Sequence, residues 1–595
     1  MLDHLPTESP IPLVKPPLTR FPPLWAQSRQ EICESFEWFR SYQGGVYRNS
    51  GTVKGYFLSG FSAQRDCFEF GGKFIVSHGG GKAESTYSHN GHTLHKSADD
   101  QRAHDMSVRA LIENYRTGQP LVLLIDDKYV HFPFDLGSRD VYMAVLGTRI
   151  SVTSWTSTAY SRPSKSHPSG KVVRYKFAFQ WCEDQGQPWW FEEDSKGASR
   201  RCPSYSNSQA RRVSWGLPLK PTNIYFQCFA CSDESPRVYA QDWACLNPMC
   251  PMFWVAPSGS PLPEQLNYNS EFISLIDSRP LPRSFRDSLI PKPPVLAPQG
   301  GVTTTYACSR GWHCQKCGRL SCRSAWEHYE CPNCKVRLTP RQESTRCQRG
   351  YSTMETSPMQ RGTAGHLSCP TTGNSRSPAG LLLTHAAPRG KIHLIQSNAL
   401  VHIQADRIFE AYQQQAFDGT LLFRRWPLRS NPKVRGPLLT NYFSQNSGET
   451  YRYVGGADNT VPFDRAPGAV VQARGLIQKR IREALEEAYE FNEVLSAAYM
   501  QQQKMAFHSD SEKGLGPVVA GLSMGSPALM HFRLLSKHAP RDEQRTTAMT
   551  VVLRHGDVLV MEGAGVQEFY EYTCFKIPYN FRIAATARWI TPDHS

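Results

Sequence analysis

The N-terminal part of the chain alternates short apolar runs with glycine and serine turns. Between about residues 30 and 195 these runs include "KFIVS", "PLVLLI" and "VVRYKFAFQW", and one helical pattern, "DDQRAHDMSVRALIENY", interrupts them. Apolar runs of this length, bounded by turn residues, are typical of β-strands. The pattern therefore predicts a mostly β domain over residues 31–200.

The C-terminal part has a different pattern. The stretch "GLIQKRIREALEEAYEFNEVLSAAY" has helical periodicity, and several strand-like runs follow it and end in "RIAATARWI". These elements predict a compact α+β domain over residues 393–595. In fold class, we expect a multidomain chain that is mostly β and α+β.

Proline and small polar residues mark the remaining segments. Residues 1–30 are rich in proline, and residues 337–392 combine Ser, Thr, Gly, Arg and Pro with little apolar periodicity. We expect both to be disordered because they offer little apolar surface to bury. Between them, residues 222–336 are rich in cysteine and contain an extended proline-rich linker, "DSRPLPRSFRDSLIPKPPVLAPQG".

Charge indicates the kind of partner. The 595-residue chain has a formal net charge of +15, spread over segments such as "LFRRWPLRSNPKVR". A polyanion, and DNA in particular, is the expected partner. The sequence has no run of about 18 apolar residues, and its start, "MLDHLPTESPIPLVKPPLTRFPPLW", has prolines and acids where a signal peptide needs an apolar stretch. We expect a soluble, intracellular protein without a membrane partner.

The cysteines favour metal sites. Ten of the 17 lie between Cys228 and Cys334, in a basic chain with no secretion signal. Two segments share a C-x2-C-x13-C spacing, in which each x2 pair directs two thiolates at one ion and the loop brings a second pair. One residue among Cys308, His313, Cys322 and His328 is an alternative ligand in the second segment. The sequence predicts two structural zinc sites, formed by Cys228, Cys231, Cys245 and Cys250, and by Cys314, Cys317, Cys331 and Cys334.

The N-terminal domain resembles a known reader of modified bases. The segments "GGVYRNSGTVKGYFLSGF", "SADDQRAHDMSVRALIENYRTGQPLVLLI", "VYMAVLGTRISVTSWTS" and "GKVVRYKFAFQWCEDQGQPWW" occur in this order. Over about 150 residues the sequence resembles the SET- and RING-associated (SRA) domain. The resemblance implies a half-open barrel that flips a modified cytosine out of duplex DNA. Val76 stands near the place of a pocket tyrosine, and Asp66 or Glu69 near that of the pocket acid.

The C-terminal domain resembles an oxygenase. The segments "FNEVLSAAYMQQQKMAFHSDSEKGLGPVVAGLSMGSPALMHFR", "LRHGDVLVMEG" and "RIAATARWI" resemble the AlkB-type 2-oxoglutarate, Fe(II)-dependent dioxygenases. The resemblance implies a double-stranded β-helix, or jelly roll. It assigns His508 and Asp510 as iron ligands, alternate residues on one face of an extended segment. Arg582, Arg588 and Tyr499 are assigned to 2-oxoglutarate.

The third iron ligand departs from the family. A histidine is expected after the "MEGxxxQxxY" stretch, and Tyr572 stands there. A neutral phenol is a poor ligand for ferrous iron compared with imidazole. Three interpretations stay open: a degenerate oxygenase, an iron site with Tyr572 or the adjacent Glu571, or a two-ligand site completed by water.

Three functional hypotheses follow. The leading one is a nuclear, DNA-directed protein in which an SRA-like barrel and zinc modules deliver an AlkB-type domain that oxidises a methyl group on a modified nucleobase. The second is a DNA- or chromatin-binding protein that has lost catalysis and uses the oxygenase fold for interaction. The third is an oxygenase that acts on proteins. The positive charge favours the first two, and Tyr572 favours the second over the first.

Overall fold

Two compact units make up the chain. The computed structural model describes residues 14–36, 38–39, 44–60, 63, 65–78, 85–89, 92–96, 99–141, 143–160, 166–168, 171–182, 186–193, 199–200, 224–275, 291–297, 303–341, 359–361, 376–377, 380–428, 436–450, 459–510, 514–539, 547–576 and 581–592. The first unit comprises residues up to 292 with 313–321 and 433–436, and the second comprises residues 293–312, 322–432 and 437–595.

The α-helices of the described residues differ widely in length. They are α1 (Arg29–Ser35), α2 (Met106–Thr117), α3 (Ser270–Ile273), α4 (Tyr306–Ser309), α5 (Ala399–Asp418), α6 (Gly468–Leu485) and α7 (Ala564–Phe569). None of them is long and apolar enough to cross a membrane.

Strands dominate both units. Those before residue 342 are β1 (Trp25–Ala26), β2 (Val46–Asn49), β3 (Thr52–Leu58), β4 (Cys67–Glu69), β5 (Phe74–His78), β6 (Ser85–His89), β7 (His92–Lys96), β8 (Leu121–Asp126), β9 (Met143–Tyr160), β10 (Lys171–Trp181), β11 (Glu192–Glu193), β12 (Ser199–Arg200), β13 (Tyr225–Gln227), β14 (Glu234–Pro236), β15 (Trp312–His313), β16 (Leu320–Ser321), β17 (Tyr329–Glu330) and β18 (Arg337–Leu338). Those that follow are β19 (Met359–Arg361), β20 (Arg376–Ser377), β21 (Gly380–Ala387), β22 (Gly390–Ile395), β23 (Phe443–Gly448), β24 (Thr460–Val461), β25 (Glu493–Met500), β26 (Leu515–Gly525), β27 (Ala528–Leu534), β28 (Met549–Leu553), β29 (Val558–Glu562), β30 (Tyr570–Lys576) and β31 (Phe581–Ile590).

The first unit is built on one eight-stranded sheet. Its order is β2-β3-β8-β9-β10-β5-β4, and β1 pairs with β9. The strand "LVLLID" of β8 is buried at every position, as expected of a continuous apolar run inside a sheet. Helix α2 comes directly before β8, which pairs in parallel with β3, and Gly118, with φ of 65°, ends the helix. The mostly β character predicted for this region is confirmed, and the SRA-like barrel stays a prediction.

Part of the predicted N-terminal tail is folded. Residues 1–13 lie outside the described residues, but from residue 14 the chain packs on the first unit. Trp25 is fully buried, pairs with Ala144 of β9 and stacks on Phe21 with ring centroids 4.7 Å apart. Leu18 is buried in the same apolar core. The prediction of disorder for residues 14–30 was therefore wrong, because proline content concealed large apolar side chains that contribute to the core.

The second unit contains a nine-stranded and a four-stranded sheet. The larger has the order β20-β21-β22-β29-β26-β31-β25-β23-β24, and the smaller has the order β19-β28-β27-β30. Helices α5 and α6 pack on the larger sheet and enclose an apolar core with it. The α+β domain predicted from the sequence is confirmed, while the double-stranded β-helix topology stays a prediction.

Two boundaries in this unit differ from the sequence predictions. Strands β21 and β22 begin at Gly380 and Gly390, inside the linker predicted to be disordered, so the folded domain starts before residue 393. The predicted long helix ends at Leu485, and "EVLSAAYM" forms β25, which is buried at every position. A strand buried on both faces lacks the alternation of apolar and polar residues that marks other strands. Its sequence is therefore easily taken for a continuation of the preceding helix.

Candidate functional site

One pocket gathers all six residues assigned to iron and 2-oxoglutarate. It has an empty volume of about 700 Å³ and is lined by strands of both sheets of the second unit. Direct cross-strand partners project to the same face of a sheet, and Tyr499 pairs with Arg582 while Glu493 pairs with Arg588. The lining residues from the sequence prediction are Tyr499, His508, Asp510, Tyr572, Arg582 and Arg588.

His508 and Asp510 lie together beside Tyr572. His508 exchanges two backbone hydrogen bonds with Tyr572, with N···O distances of 3.1 and 2.8 Å, and their ring centroids are 4.8 Å apart. His508 Nδ1 lies 2.9 Å from the carbonyl oxygen of Ala506. A carbonyl only accepts hydrogen bonds, so Nδ1 carries the proton and Nε2 is left as the ligand atom.

Asp510 is held by two neighbours. The Tyr572 hydroxyl donates a hydrogen bond to Oδ2 of Asp510, and Arg588 Nη2 lies 3.3 Å from Oδ1. Burial opposes ionisation of Asp510, but the charge of Arg588, the neighbouring His508 and the hydrogen bond from Tyr572 outweigh it and lower the pKa of this carboxyl. Burial and the adjacent Asp510 carboxylate raise the pKa of Tyr572 well above its ordinary value. Tyr572 is therefore a neutral phenol bound to Asp510.

Glu571 does not replace the missing histidine. Its Oε1 accepts a hydrogen bond from Arg533 Nε at 2.8 Å, and Glu571 and Arg533 are direct cross-strand partners. Consecutive residues of a strand face opposite sides of the sheet. Since Tyr572 faces the pocket, Glu571 faces away from it. In the strand register that the structure shows, Glu571 as the third iron ligand is therefore wrong.

The residues predicted to bind 2-oxoglutarate form a positive, buried part of the pocket. Arg582 is 4% exposed, its Nε lies 3.1 Å from Ser523 Oγ, and its guanidinium carbon lies 5.6 Å from the centre of the Tyr499 ring. Among the residues that the structure describes, no carboxylate pairs with Arg582. A buried guanidinium without a counter-ion favours an anionic ligand.

Two residues of this site were missed in the sequence. Ser523 supports Arg582 from strand β26, and Glu493 contacts Arg588 at 3.4 Å from strand β25. Burial raises the pKa of Glu493 to about 7, although the charge of the neighbouring Arg588 acts to lower this pKa. The one available signal was a carboxylate at the start of a strand in which every other residue is apolar, serine or tyrosine.

The pocket fits the two small cofactors unequally. Arg582, Tyr499 and Ser523 suit a dicarboxylate, which would provide the missing counter-charge. His508 Nε2 and Asp510 Oδ2 suit a divalent metal ion, but the described residues that line the pocket include no third histidine or carboxylate. The protein therefore offers Fe(II) two ligands of the facial triad.

Each predicted set of zinc ligands converges. Within the quartet of Cys228 and Cys250, and within that of Cys314 and Cys334, all four Sγ atoms lie within 4.8 Å of one another. Two Sγ pairs of the first quartet are 3.8 and 3.6 Å apart. A tetrahedral ion with Zn–S bonds of about 2.3 Å requires sulfur atoms about 3.8 Å apart. The eight ligands are those predicted from the spacing, and Cys308 and Cys322 belong to neither quartet.

Three of the cysteine pairs adopt the same tight turn. In each, the first cysteine accepts a backbone hydrogen bond from the fourth residue after it, and its own N–H donates to the carbonyl of the fifth. The fourth residue has positive φ, which brings the two thiols to one side of the turn. These turns begin at Cys228, Cys314 and Cys331 and place Ser232, Gly318 and Lys335 at positive φ.

Asp66 and Val76, two of the residues predicted for an SRA-like pocket, are buried inside the first unit. Asp66 forms an ion pair with Lys176, and the exposed fraction of both side chains is 1%. Val76 is fully buried in a core shared with Ile224 and Phe272 of the cysteine-rich region. Asp66 and Val76 therefore make their contacts within the protein. Of the two acids predicted for the pocket, Glu69 is the one that is only half-buried.

Comparison with known proteins assigns part of the second unit to a protein family. Residues 402–576 match the family model described as the 2OG-Fe(II) oxygenase superfamily. This segment is therefore a 2OG-Fe(II) oxygenase domain, and its family implies Fe(II) and 2-oxoglutarate. A solved structure titled "The structure of OsALKBH1" matches 33% of this chain and 97% of its own, at 17% identity and a TM-score of 0.22. No curated protein matches the chain.

Proposed function

We propose that this chain is a nuclear, DNA-directed oxygenase of AlkB type that oxidises methyl groups on nucleobases. The observation that carries the proposal is that His508, Asp510 and a buried Arg582 without a carboxylate partner among the described residues line one pocket of an oxygenase domain. The net charge of +15 supports DNA as the partner. An SRA-like domain and two zinc modules would place the pocket on the duplex.

Each pocket residue has a defined task in this reaction. Arg582, held by Ser523, binds the distal carboxylate of 2-oxoglutarate, and Tyr499 lies beside it. His508 Nε2 and Asp510 Oδ2 hold Fe(II). With dioxygen and 2-oxoglutarate, bound iron supplies the oxidising chemistry that removes a methyl group as formaldehyde or leaves a hydroxymethyl group. Apolar residues such as Leu553 and Met561 line the same pocket and exclude water from it.

A second candidate function is DNA or chromatin binding without oxidation. The observation that favours it is the hydrogen bond from Tyr572 to Asp510, because this bond occupies the carboxylate oxygen that the metal needs. In this case the pocket is a closed hydrogen-bonded network, and the oxygenase domain serves as a module for interaction.

Oxidation of methylated DNA tests the choice between these functions. We expect the full chain with Fe(II) and 2-oxoglutarate to release formaldehyde from N-methylated duplexes, or to hydroxymethylate a C-methylated base. Arg582→Met should weaken 2-oxoglutarate binding by roughly tenfold to 100-fold because a charged hydrogen bond is lost. Arg533→Met is the matched control, since Arg533 pairs with Glu571 on the face turned away from the pocket. Succinate production no higher than in His508→Ala would contradict catalysis and favour the binding function.

DNA affinity should depend steeply on salt. Phosphate contacts release counterions, so we expect the affinity of the full chain for a mixed-sequence duplex to fall roughly tenfold or more between about 50 and 200 mM salt, the fall expected for about two or more phosphate contacts. Fluorescence anisotropy at several salt concentrations measures the slope. An affinity that is absent, or that does not change with salt, would contradict DNA as the partner and favour an oxygenase that acts on proteins.

A further inference from the structure

Glu493 is a buried carboxylate that the proposed reaction does not use. Its side chain is fully buried at the start of β25, directly across from Arg588 of β31. Arg588 Nη1 lies 3.4 Å from Glu493 Oε2, and Arg588 Nη2 lies 3.3 Å from Asp510 Oδ1. One guanidinium thus bridges two carboxylates, and only Asp510 is a predicted metal ligand.

Stability does not account for this arrangement. Removing a carboxylate from water costs free energy unless its oxygens are paired, and the other oxygen of Glu493, Oε1, has no hydrogen-bond partner within the described part of the chain. Its neighbours on β25 are buried and uncharged, so an apolar residue would suit the same position in the sheet. The position of Glu493 is better explained by what it does to Arg588.

The two oxygens of Asp510 face different partners. Oδ1 faces Arg588, and Oδ2 faces the Tyr572 hydroxyl, whose ring lies against His508. Arg588 and the Tyr572 hydroxyl thus hold different oxygens of Asp510, and we take Oδ2, the oxygen that Arg588 leaves, as the one that would bind a metal. A guanidinium prefers to bind both oxygens of one carboxylate through two parallel hydrogen bonds. Glu493 prevents this by taking one of the two terminal nitrogens of Arg588.

We propose that Glu493 is a positioning residue that limits Arg588 to Oδ1 of Asp510, so that a metal binding at Oδ2 has to displace only the hydroxyl of Tyr572. The inference rests on the proposed function of the pocket, because it concerns the same metal ligand. Without Glu493, the terminal nitrogen of Arg588 that Glu493 holds can reach Oδ2, so that Arg588 binds both oxygens and competes with the metal for Asp510. The role acts through Arg588 and requires no contact between Glu493 and the substrate.

The test is a titration of the full chain with Co(II), followed by the visible absorption of the bound ion. We expect Glu493→Gln to weaken Co(II) binding about tenfold without lowering the free energy of unfolding. Glu562→Gln is the matched control, because Glu562 pairs with His393 on neighbouring strands and does not line the pocket. Its Co(II) affinity should equal that of the wild type.

A double-mutant cycle distinguishes positioning from a general structural effect. In an Arg588→Met background, Glu493→Gln should change Co(II) affinity less than twofold, because the competing guanidinium is gone. An equal loss in both backgrounds would overturn the proposal, as would full Co(II) affinity in Glu493→Gln. If Glu493→Gln does not fold, the double variant Glu493→Gln/Arg588→Met decides the matter, since affinity below that of Arg588→Met contradicts the mechanism. Absence of Co(II) binding in the wild type would contradict the iron site itself, and with it this role.

Discussion

Replacing Tyr572 by histidine is expected to raise Fe(II) affinity about 100-fold and to accelerate 2-oxoglutarate consumption. The structure gives the reason, because Tyr572 is a neutral phenol whose hydroxyl donates a hydrogen bond to Asp510 Oδ2. A histidine at this position, adjacent to His508 in the backbone pairing, supplies a neutral nitrogen and releases Asp510. Even changes outside the ligand shell alter metal affinity by about 10–100-fold. Anaerobic Fe(II) titration and succinate assays measure both effects.

Three further variants separate the possible causes. Tyr572→Phe releases Asp510 without adding a ligand, so any gain in Tyr572→His beyond that of Tyr572→Phe is due to coordination. Glu571→Ala should leave Fe(II) affinity unchanged, because Glu571 faces Arg533. His508→Ala should abolish Fe(II) binding. If the wild type turns over at an ordinary enzymatic rate and Tyr572→His slows it, Tyr572 is a working part of the site and the degenerate interpretation fails. In that case a deprotonated Tyr572 would favour the ferric state of the bound iron, as phenolate ligands do.

The sequence predicted the pocket more completely than it predicted the boundaries of the domains. Residues such as Arg582 and Arg588 stand six apart on one strand, and His508 and Asp510 stand two apart, so period-two alternation already places each pair on one face. The partners within the pocket were out of reach, because they depend on which strands are neighbours. The contact between Glu493 and Arg588 exists only because β25 lies beside β31, which no local pattern indicates.

The missed segments have a related cause. Trp25 belongs to a proline-rich stretch, and composition alone cannot show that β9 offers it a partner in the sheet. The cysteine quartets were predictable for the opposite reason, since the x2 pairs form local turns whose geometry is set within six residues. Residue spacing was enough to predict interactions within a local turn. Interactions between strands that are distant in the sequence can be identified only from the fold.

Removal of zinc from the first quartet is expected to unfold residues 224–275. The strands of this segment are three residues long, and its largest apolar core is shared with β5 and β10. Structural zinc provides apparent binding free energies of about 10–16 kcal/mol in small modules, which exceeds what so little regular structure contributes. Elemental analysis of protein purified without added metal should give about two zinc ions per chain, one for each cysteine quartet.

Cys245→Ser is the decisive variant for this module. Cys245 is fully buried and its Sγ lies 3.6 Å from that of Cys231, so a hydroxyl at this place removes one thiolate and leaves the tight turn that begins at Cys228 intact. We expect about one zinc per chain and rapid proteolysis within residues 224–275. Cys33→Ser is the matched control, because Cys33 lies on α1 outside both quartets, and its zinc content should stay at that of the wild type. Zinc well below one ion per chain in the wild type would contradict both sites. Two ions retained in Cys245→Ser would show instead that the thiolate of Cys245 is not needed to hold either ion, and would contradict the first quartet as a four-thiolate site.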